Sequence, residues 1–266
     1  MRHCIFCDRP ISGTGDGRAR EHVLPAWLQS LLGVDREQLF QGVAESETGR
    51  ILRTRVHATS AFVEGRVCAE CNHGWMSNLE TAVQPIMARL IDGSQPISRL
   101  TPAETVILTT WTLKTAYALS YAAFDSQPID SSRLHVLSQP PHVLPEDTIV
   151  VAQQHRSNGA FSWVQRNHWP VFPQSTAPPP PVPGNAFKIG LQIRELLLVV
   201  GHWPDVDDYI IGHDFHFALW PPREFETYDL SEVTSPFDSR AILAAFSGTL
   251  AVRLRDGTDL RSMPKS

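Results

Sequence analysis

Four cysteines, one acidic-histidine pair and one asparagine hold most of the reactive chemistry that this sequence spaces out recognisably. Cys4 and Cys7 make one Cys-x-x-Cys knuckle, Cys68 and Cys71 make a second, and there is no fifth cysteine. Two such pairs supply four thiolates, the closed tetrahedral shell of a structural zinc ion. The pairs are far apart in the chain, so the ion would clip distant segments together and support a region with little core of its own. Four sulfurs leave such a zinc no open position, and any catalysis has to come from other groups. Glu21-His22 stands between the pairs. The imidazole is suited to take a proton from water near neutral pH. Glu21 offers a hard oxygen, and Asn72, directly after the second knuckle, offers an amide oxygen. Both suit magnesium or manganese, an ion that stabilises a crowded phosphate and a departing 3′ oxygen.

The rest of the composition sets bounds. The chain has 266 residues and a formal net charge of -5, so no chain-wide basic charge advertises a nucleic-acid partner. A local patch needs less, and Arg18, Arg20, Arg50, Arg53, Arg55 and Arg66 are placed to supply one near the reactive residues, with Arg20 and Arg66 the first candidates to hold phosphate. Only Lys114, Lys188 and Lys265 are lysines. The paired cysteines do not read as a scattered disulfide framework, and the first residues contain no apolar signal-peptide core. The longest aliphatic run, Leu196 to Val200, is far too short to span a bilayer. The expectation is a soluble cytoplasmic protein with no membrane partner.

These residues need elements to hold them. Glu21-His22 should end a short strand, and Pro25 should open a helix over Ala26 to Leu32 that Gly33 closes. Residues 34 to 60 read as an insertion with a strand at Ile51 to Val56, and Phe62 to Val67 as the strand that delivers Cys68. A helix starts at Asn72, carries Trp75, Met76, Leu79, Val83, Ile86, Met87 and Leu90 at helical spacing, is interrupted by Pro85 and leaves at Asp92-Gly93. Trp75 and Met76 belong to the core. His73 and Glu80 share a face from which either could approach a metal. Thr101-Pro102-Ala103-Glu104 is a capping box opening a helix to about Phe124, with small and aromatic residues on one face that suits close packing on the first domain. Beyond it come a short helix at 131–136, strands at 148–153 and 160–166, a stiff proline-rich spacer at 176–183, and one or two buried strands over 187–200. His202, His213 and His216 sit among aspartates but read as turn polarity before a second metal site. The fold class is therefore α+β. Residues 1–95 form the zinc-stapled domain, and residues 96–266 form an α+β domain with a long helix and a mostly antiparallel or mixed sheet, of unknown task.

The order Cys-x-x-Cys, then Glu-His-Val-Leu-Pro, then Cys-x-x-Cys-Asn-x-Gly-Trp-Met-Ser-x-Leu-Glu resembles the HNH endonucleases, in particular their four-cysteine bacterial and phage branch, over roughly residues 1 to 90. The resemblance implies a ββα-metal fold in the N-terminal domain and hydrolysis of DNA phosphodiester bonds, with RNA left open. It makes His22 the general base, Glu21 and Asn72 the ligands of a catalytic Mg²⁺ or Mn²⁺, and Cys4, Cys7, Cys68 and Cys71 the ligands of a structural Zn²⁺. The family also carries an asparagine before the second knuckle to orient the histidine. Residues 56 to 67 contain none, which leaves Thr59, Ser60 or a backbone carbonyl to orient the ring, or His57 to join the site. That departure gives the alternative: a catalytically degenerate zinc module that binds nucleic acid or protein. A protein partner or a homodimer would use residues 96–266.

Overall fold

The computed structural model describes residues 2–11, 18–34, 38–44, 51–58, 63–122, 129–139, 143–154, 160–166, 183–204, 206–212, 216–228, 250–254 and 259–260. The chain is α+β and divides into two compact units, one of residues 1–41 with 54–145, the other of residues 42–53 with 146–266. Among the described residues no helix is long and apolar enough to cross a membrane.

The first unit begins with β1 (Arg2–His3) and β2 (Pro10–Ile11), an antiparallel pair bridged by the first knuckle. Asp8 takes the left-handed conformation that closes this tight turn. Strand β3 (Arg18–His22) delivers the acidic-histidine pair and leads into helix α1 (Ala26–Leu32), with Pro25 before its first turn and Gly33 beyond its last, at φ 72°. Leu28 and Leu32 are buried as the pattern predicts, but Leu31 is 38% exposed. Gln29 takes a core place instead, its amide donating to Leu24 O at 2.6 Å. Strands β4 (Gln38–Ala44) and β5 (Ile51–Ala58) pair with each other.

Strand β6 (Val63–Cys68) runs antiparallel to β3, matching Arg18 to Cys68, Glu21 to Glu64 and His22 to Val63, with a bulge between Ala19 and Glu21. A short helical turn α2 (Ala69–Cys71) follows, then a π-turn over Asn72–Met76 in which Gly74 leaves helical geometry (φ -90°, ψ -111°), then α3 (Ser77–Ile91). The helical stretch thus begins earlier than Asn72 and becomes regular later. It also runs through Pro85, which lies exposed, where the carbonyl freed by the missing donor can turn to water.

Helix α4 (Pro102–Ala122) starts on the expected capping box: Thr101 N donates to Glu104 Oε2 at 2.9 Å, and Glu104 N donates to Thr101 Oγ1 at 3.3 Å. Replacing Thr101 by alanine should cost about 1 kcal/mol, read as a lower urea midpoint at unchanged slope. The one-sided face expected for this helix is not what forms, since every residue from Leu108 to Ser120 is buried. A helix covered all round belongs inside a unit. Accordingly α4 packs on α3 within the first unit, and the division expected near residue 95 lies instead after residue 145. Helix α5 (Ser131–Ser138), capped by Asp130, completes the unit.

The second unit contains strands and no helix among its described residues. Strands β7 (Thr148–Gln154), β8 (Phe161–Arg166), β9 (Phe187–Ile193), β10 (Leu196–His202) and β12 (His216–Trp220) form an antiparallel sheet in the order β12-β7-β10-β9-β8. A second sheet, of mixed direction, follows the order β13-β11-β14-β15, from β11 (Val206–Gly212), β13 (Glu226–Tyr228), β14 (Leu250–Leu254) and β15 (Asp259–Leu260). Ile149, Val151, Leu197 and Val199 of the first sheet share one core with Tyr209, Ile211, Leu250 and Val252 of the second. The apolar runs within 148–154 and 196–202, rich in Val, Ile and Leu, form strands because their side chains suit a surface covered on both faces. Residues 176–183 fall outside the described residues except Pro183.

Candidate functional site

The two knuckles meet. Cys4, Cys7, Cys68 and Cys71 bring their sulfurs within 4.8 Å of one another, with Cys4 Sγ 3.9 Å from Cys71 Sγ and Cys7 Sγ 3.6 Å from Cys68 Sγ. Zinc–sulfur bonds of about 2.3 Å in a tetrahedron put the sulfurs about 3.8 Å apart, so the spacing fits a four-thiolate ion. It is too long for a disulfide, whose sulfurs lie about 2 Å apart. The surroundings suit thiolates as well. Cys68 N donates to Cys4 Sγ and Cys71 N to Cys68 Sγ, both at 3.4 Å, and the Trp75 indole lies close enough to favour the Cys71 thiolate.

Without a cation the four thiols cannot all ionise together. The hydrogen bond shared with Cys71 draws the Cys4 thiol down to about 4, while that bond and burial push Cys71 up; burial likewise raises Cys7. A dication removes this conflict by stabilising every thiolate at once. Neighbouring groups fix the knuckles in place. Ile5 N donates to Arg66 O at 2.9 Å, Phe6 meets Trp75 edge-on with centroids 5.4 Å apart, and Ser138 Oγ donates to Phe6 O at 2.7 Å. Met76 is buried in the core as expected, while Trp75 is half-buried against Phe6 of the first knuckle.

The acidic-histidine pair closes β3, opposite the first residues of β6 and so at the other end of the strand pair from Cys68. His22 is half-buried and takes no hydrogen bond among the described residues. Asn72, half-buried on the π-turn, likewise has no side-chain partner among them. Glu21 is only 7% exposed and is engaged in a way the sequence reading did not foresee. Its Oε1 accepts from Lys114 Nζ at 2.8 Å, and Lys114, wholly buried on α4, also donates to Glu80 Oε1 at 2.5 Å. Glu80 takes two further donors, Trp27 Nε1 to Oε2 at 2.5 Å and Trp111 Nε1 to Oε1 at 3.1 Å. Burial opposes the Lys114 charge, but Glu80 and Glu21 together outweigh it and raise the ammonium above the ordinary lysine range.

Glu64, opposite Glu21 across the strand pair, is buried too. Two carboxylates facing each other would repel, so each has its own cation. Arg66 Nε donates to Glu64 Oε1 at 2.9 Å and its Nη2 to Oε2 at 3.1 Å, while the guanidinium sits 4.8 Å from the Tyr121 ring centroid. Arg66 is thereby committed within the unit rather than standing free for phosphate. The side chain of Arg20 falls outside the described residues, as do Thr59, Ser60 and the side chain of His57.

His73 is exposed, and Glu80 is held by Lys114 and the two tryptophans. Glu21 and His22 join no third histidine, cysteine or carboxylate in a metal-holding cluster among the described residues, where the four cysteines make the one such group. In the second unit His202 is buried, its Nδ1 2.9 Å from Asp147 O and its ring against Phe187; His213 and the side chain of His216 fall outside the described residues. Lys114, Trp27 and Trp111 were missed. A usable signal existed, for Lys114 is the only charged residue between Glu104 and Asp125. A single lysine in so long an uncharged helical stretch asks for a buried carboxylate.

Comparison with protein-family models, curated proteins and solved structures finds no match to this chain.

Proposed function

We propose that the first unit is the catalytic module of a divalent-metal-dependent endonuclease that hydrolyses DNA phosphodiester bonds, built on a structural zinc ion at Cys4, Cys7, Cys68 and Cys71. The observation that carries this reading is the arrangement of two antiparallel strands and a helical segment around the thiolate cluster, with His22 at the end of β3 and Asn72 just after Cys71. This is the order of parts in the ββα-metal nucleases that the motifs resemble. The side chain of His22 has no competing hydrogen bond among the described residues, which leaves the imidazole available to take a proton from an attacking water.

The donors suit a hard cation. Glu21 has one oxygen outside the Lys114 bond, and the Asn72 amide oxygen has no partner among the described residues. Magnesium characteristically takes one or two protein oxygens and completes its shell with water and substrate phosphate. Bound there, the ion would supply charge stabilisation at the scissile phosphate. His22 would hold and pass the proton, Glu21 and Asn72 would bind and orient, and the zinc would keep β3, β6 and the π-turn in register.

The test is cleavage of supercoiled and linear DNA by zinc-replete protein with Mg²⁺ or Mn²⁺. Replacement of His22 by alanine should lower the rate by about 10²-fold or more while leaving zinc content and melting unchanged. Equal cleavage by the His22→Ala protein would remove the proposal. A second reading, a non-cutting module that binds nucleic acid or protein, draws on the Glu21–Lys114 ion pair, which lessens the charge available to a divalent ion. It predicts DNA retention without cleavage at any metal concentration.

A further inference from the structure

The geometry points to Lys114 as a positioning residue for the proposed catalytic site: it takes Glu21 Oε1, leaves Oε2 as the one Glu21 oxygen for a cation, and so sets how strongly the protein alone holds that cation. This inference rests on the nuclease reading above and deepens it. Three observations support it. Lys114 is completely buried, yet its ammonium is placed 2.8 Å from Glu21 and 2.5 Å from Glu80. Glu80 in turn is held by two indole donors from different helices, Trp27 of α1 and Trp111 of α4, so the ammonium has little freedom to move away from Glu21. No other donor reaches Glu21 among the described residues, and its side chain is 9% exposed, so the remaining oxygen is not wholly sealed.

The consequence is electrostatic. A fixed positive charge at hydrogen-bond distance from Glu21 repels a divalent cation and lowers its affinity for the same carboxylate. The protein then offers one carboxylate oxygen of Glu21 beside a fixed ammonium. A cation would be held loosely until phosphate oxygens of a substrate complete its shell, and substrate and metal would each strengthen the other's binding. Glu80 tunes this arrangement from one step away, since it shares the ammonium with Glu21.

Two variants should move metal affinity in opposite directions. In Glu80→Gln the amide oxygen can still accept from a tryptophan, but the Lys114 charge falls on Glu21 alone, and Mn²⁺ binding should weaken by about tenfold. In the double variant Lys114→Met with Glu80→Gln, one positive and one negative charge leave together, Glu21 stands unopposed, and Mn²⁺ binding should tighten by about tenfold. The measurement is the electron paramagnetic resonance signal of free Mn²⁺ titrated against full-length, zinc-loaded protein without DNA, with melting temperature and zinc content followed in parallel. Opposite shifts support the positioning role. Wild-type binding that neither variant changes, even if melting temperature drops, overturns it and makes Lys114 a purely structural residue. Absence of Mn²⁺ binding by wild type and by the double variant alike removes the divalent-ion reading itself, and this inference with it.

Discussion

Replacing Cys68 by serine should abolish stoichiometric metal binding and destabilise the first unit by about 4 kcal/mol, a large share of the 5–15 kcal/mol typical of a domain. The thiolate cluster joins positions 61 and 67 residues apart, as Cys7 with Cys68 and Cys4 with Cys71. A cross-link closing a loop of that length removes about 4 kcal/mol of chain entropy from the unfolded state. Loss of one ligand also leaves three crowded sulfurs without a cation, in a site where burial already disfavours the Cys7 thiolate. Strong chelators should reproduce the effect in wild type, and acidification should release the ion because protons compete for the same sulfurs. Metal release followed with a colorimetric indicator, beside urea unfolding, measures both. Retention of one equivalent of zinc by Cys68→Ser, with an unchanged midpoint, would show that the four cysteines are not the ligand set.

The damage should be graded along the unit. β1, β2, the β3–β6 pair and the π-turn depend on the knuckles for their register. α3 and α4 have their own apolar contacts through Val83, Met87, Leu108 and Trp111. Helical circular dichroism should therefore outlast metal loss, while the Trp75 environment, edge-on to Phe6 and near Cys71, changes with it.

The parts that were legible in the sequence are those written in local patterns. Two Cys-x-x-Cys pairs announce a shared cluster, Thr101 and Glu104 announce a capped helix start, and Gly33 announces a helix end; each motif is made of residues a few positions apart. The unit boundary is different. A proline at 96 and a capping box at 101 mark where a helix begins, and its small-residue face points to packing on the first domain, but neither shows that α4 is enclosed within that unit. Its all-round burial was also obscured by Thr112 and Thr115, polar residues that lie off the expected face. Inside a helix, however, a threonine hydroxyl can return to the backbone, as Thr110 does to Val106 O and Thr112 to Leu108 O, both at 2.7 Å. The partner of Glu21 was hardest to see. Ninety-three positions separate it from Lys114, and a pairing across that distance is decided by how the helices pack.

Replacing Lys114 by methionine should destabilise the first unit by about 3–5 kcal/mol, the cost of breaking a buried ion pair from one side. Methionine fills a similar volume, so the loss comes from charge more than from packing. Glu21 and Glu80 would remain in the interior, with Glu80 still bonded to Trp27 and Trp111 but Glu21 without any donor among the described residues. Adding Glu80→Gln removes one of the two stranded charges and should recover part of the loss, giving a coupling of about 1–3 kcal/mol in the double-mutant cycle. The pH dependence follows from the raised ammonium. A lysine held above its unfolded value of about 10.4 contributes its full stabilisation below that value and loses it as pH rises through the higher folded value. The gap between wild type and Lys114→Met, measured by urea unfolding at pH 7, 9 and 11, should be flat from 7 to 9 and begin to narrow only in strong alkali. A gap under about 0.5 kcal/mol at pH 7 would mean that the buried ammonium is dispensable. Narrowing already between pH 7 and 9 would mean that the carboxylates do not hold its charge, and α4 would then owe its place against α3 to apolar packing alone.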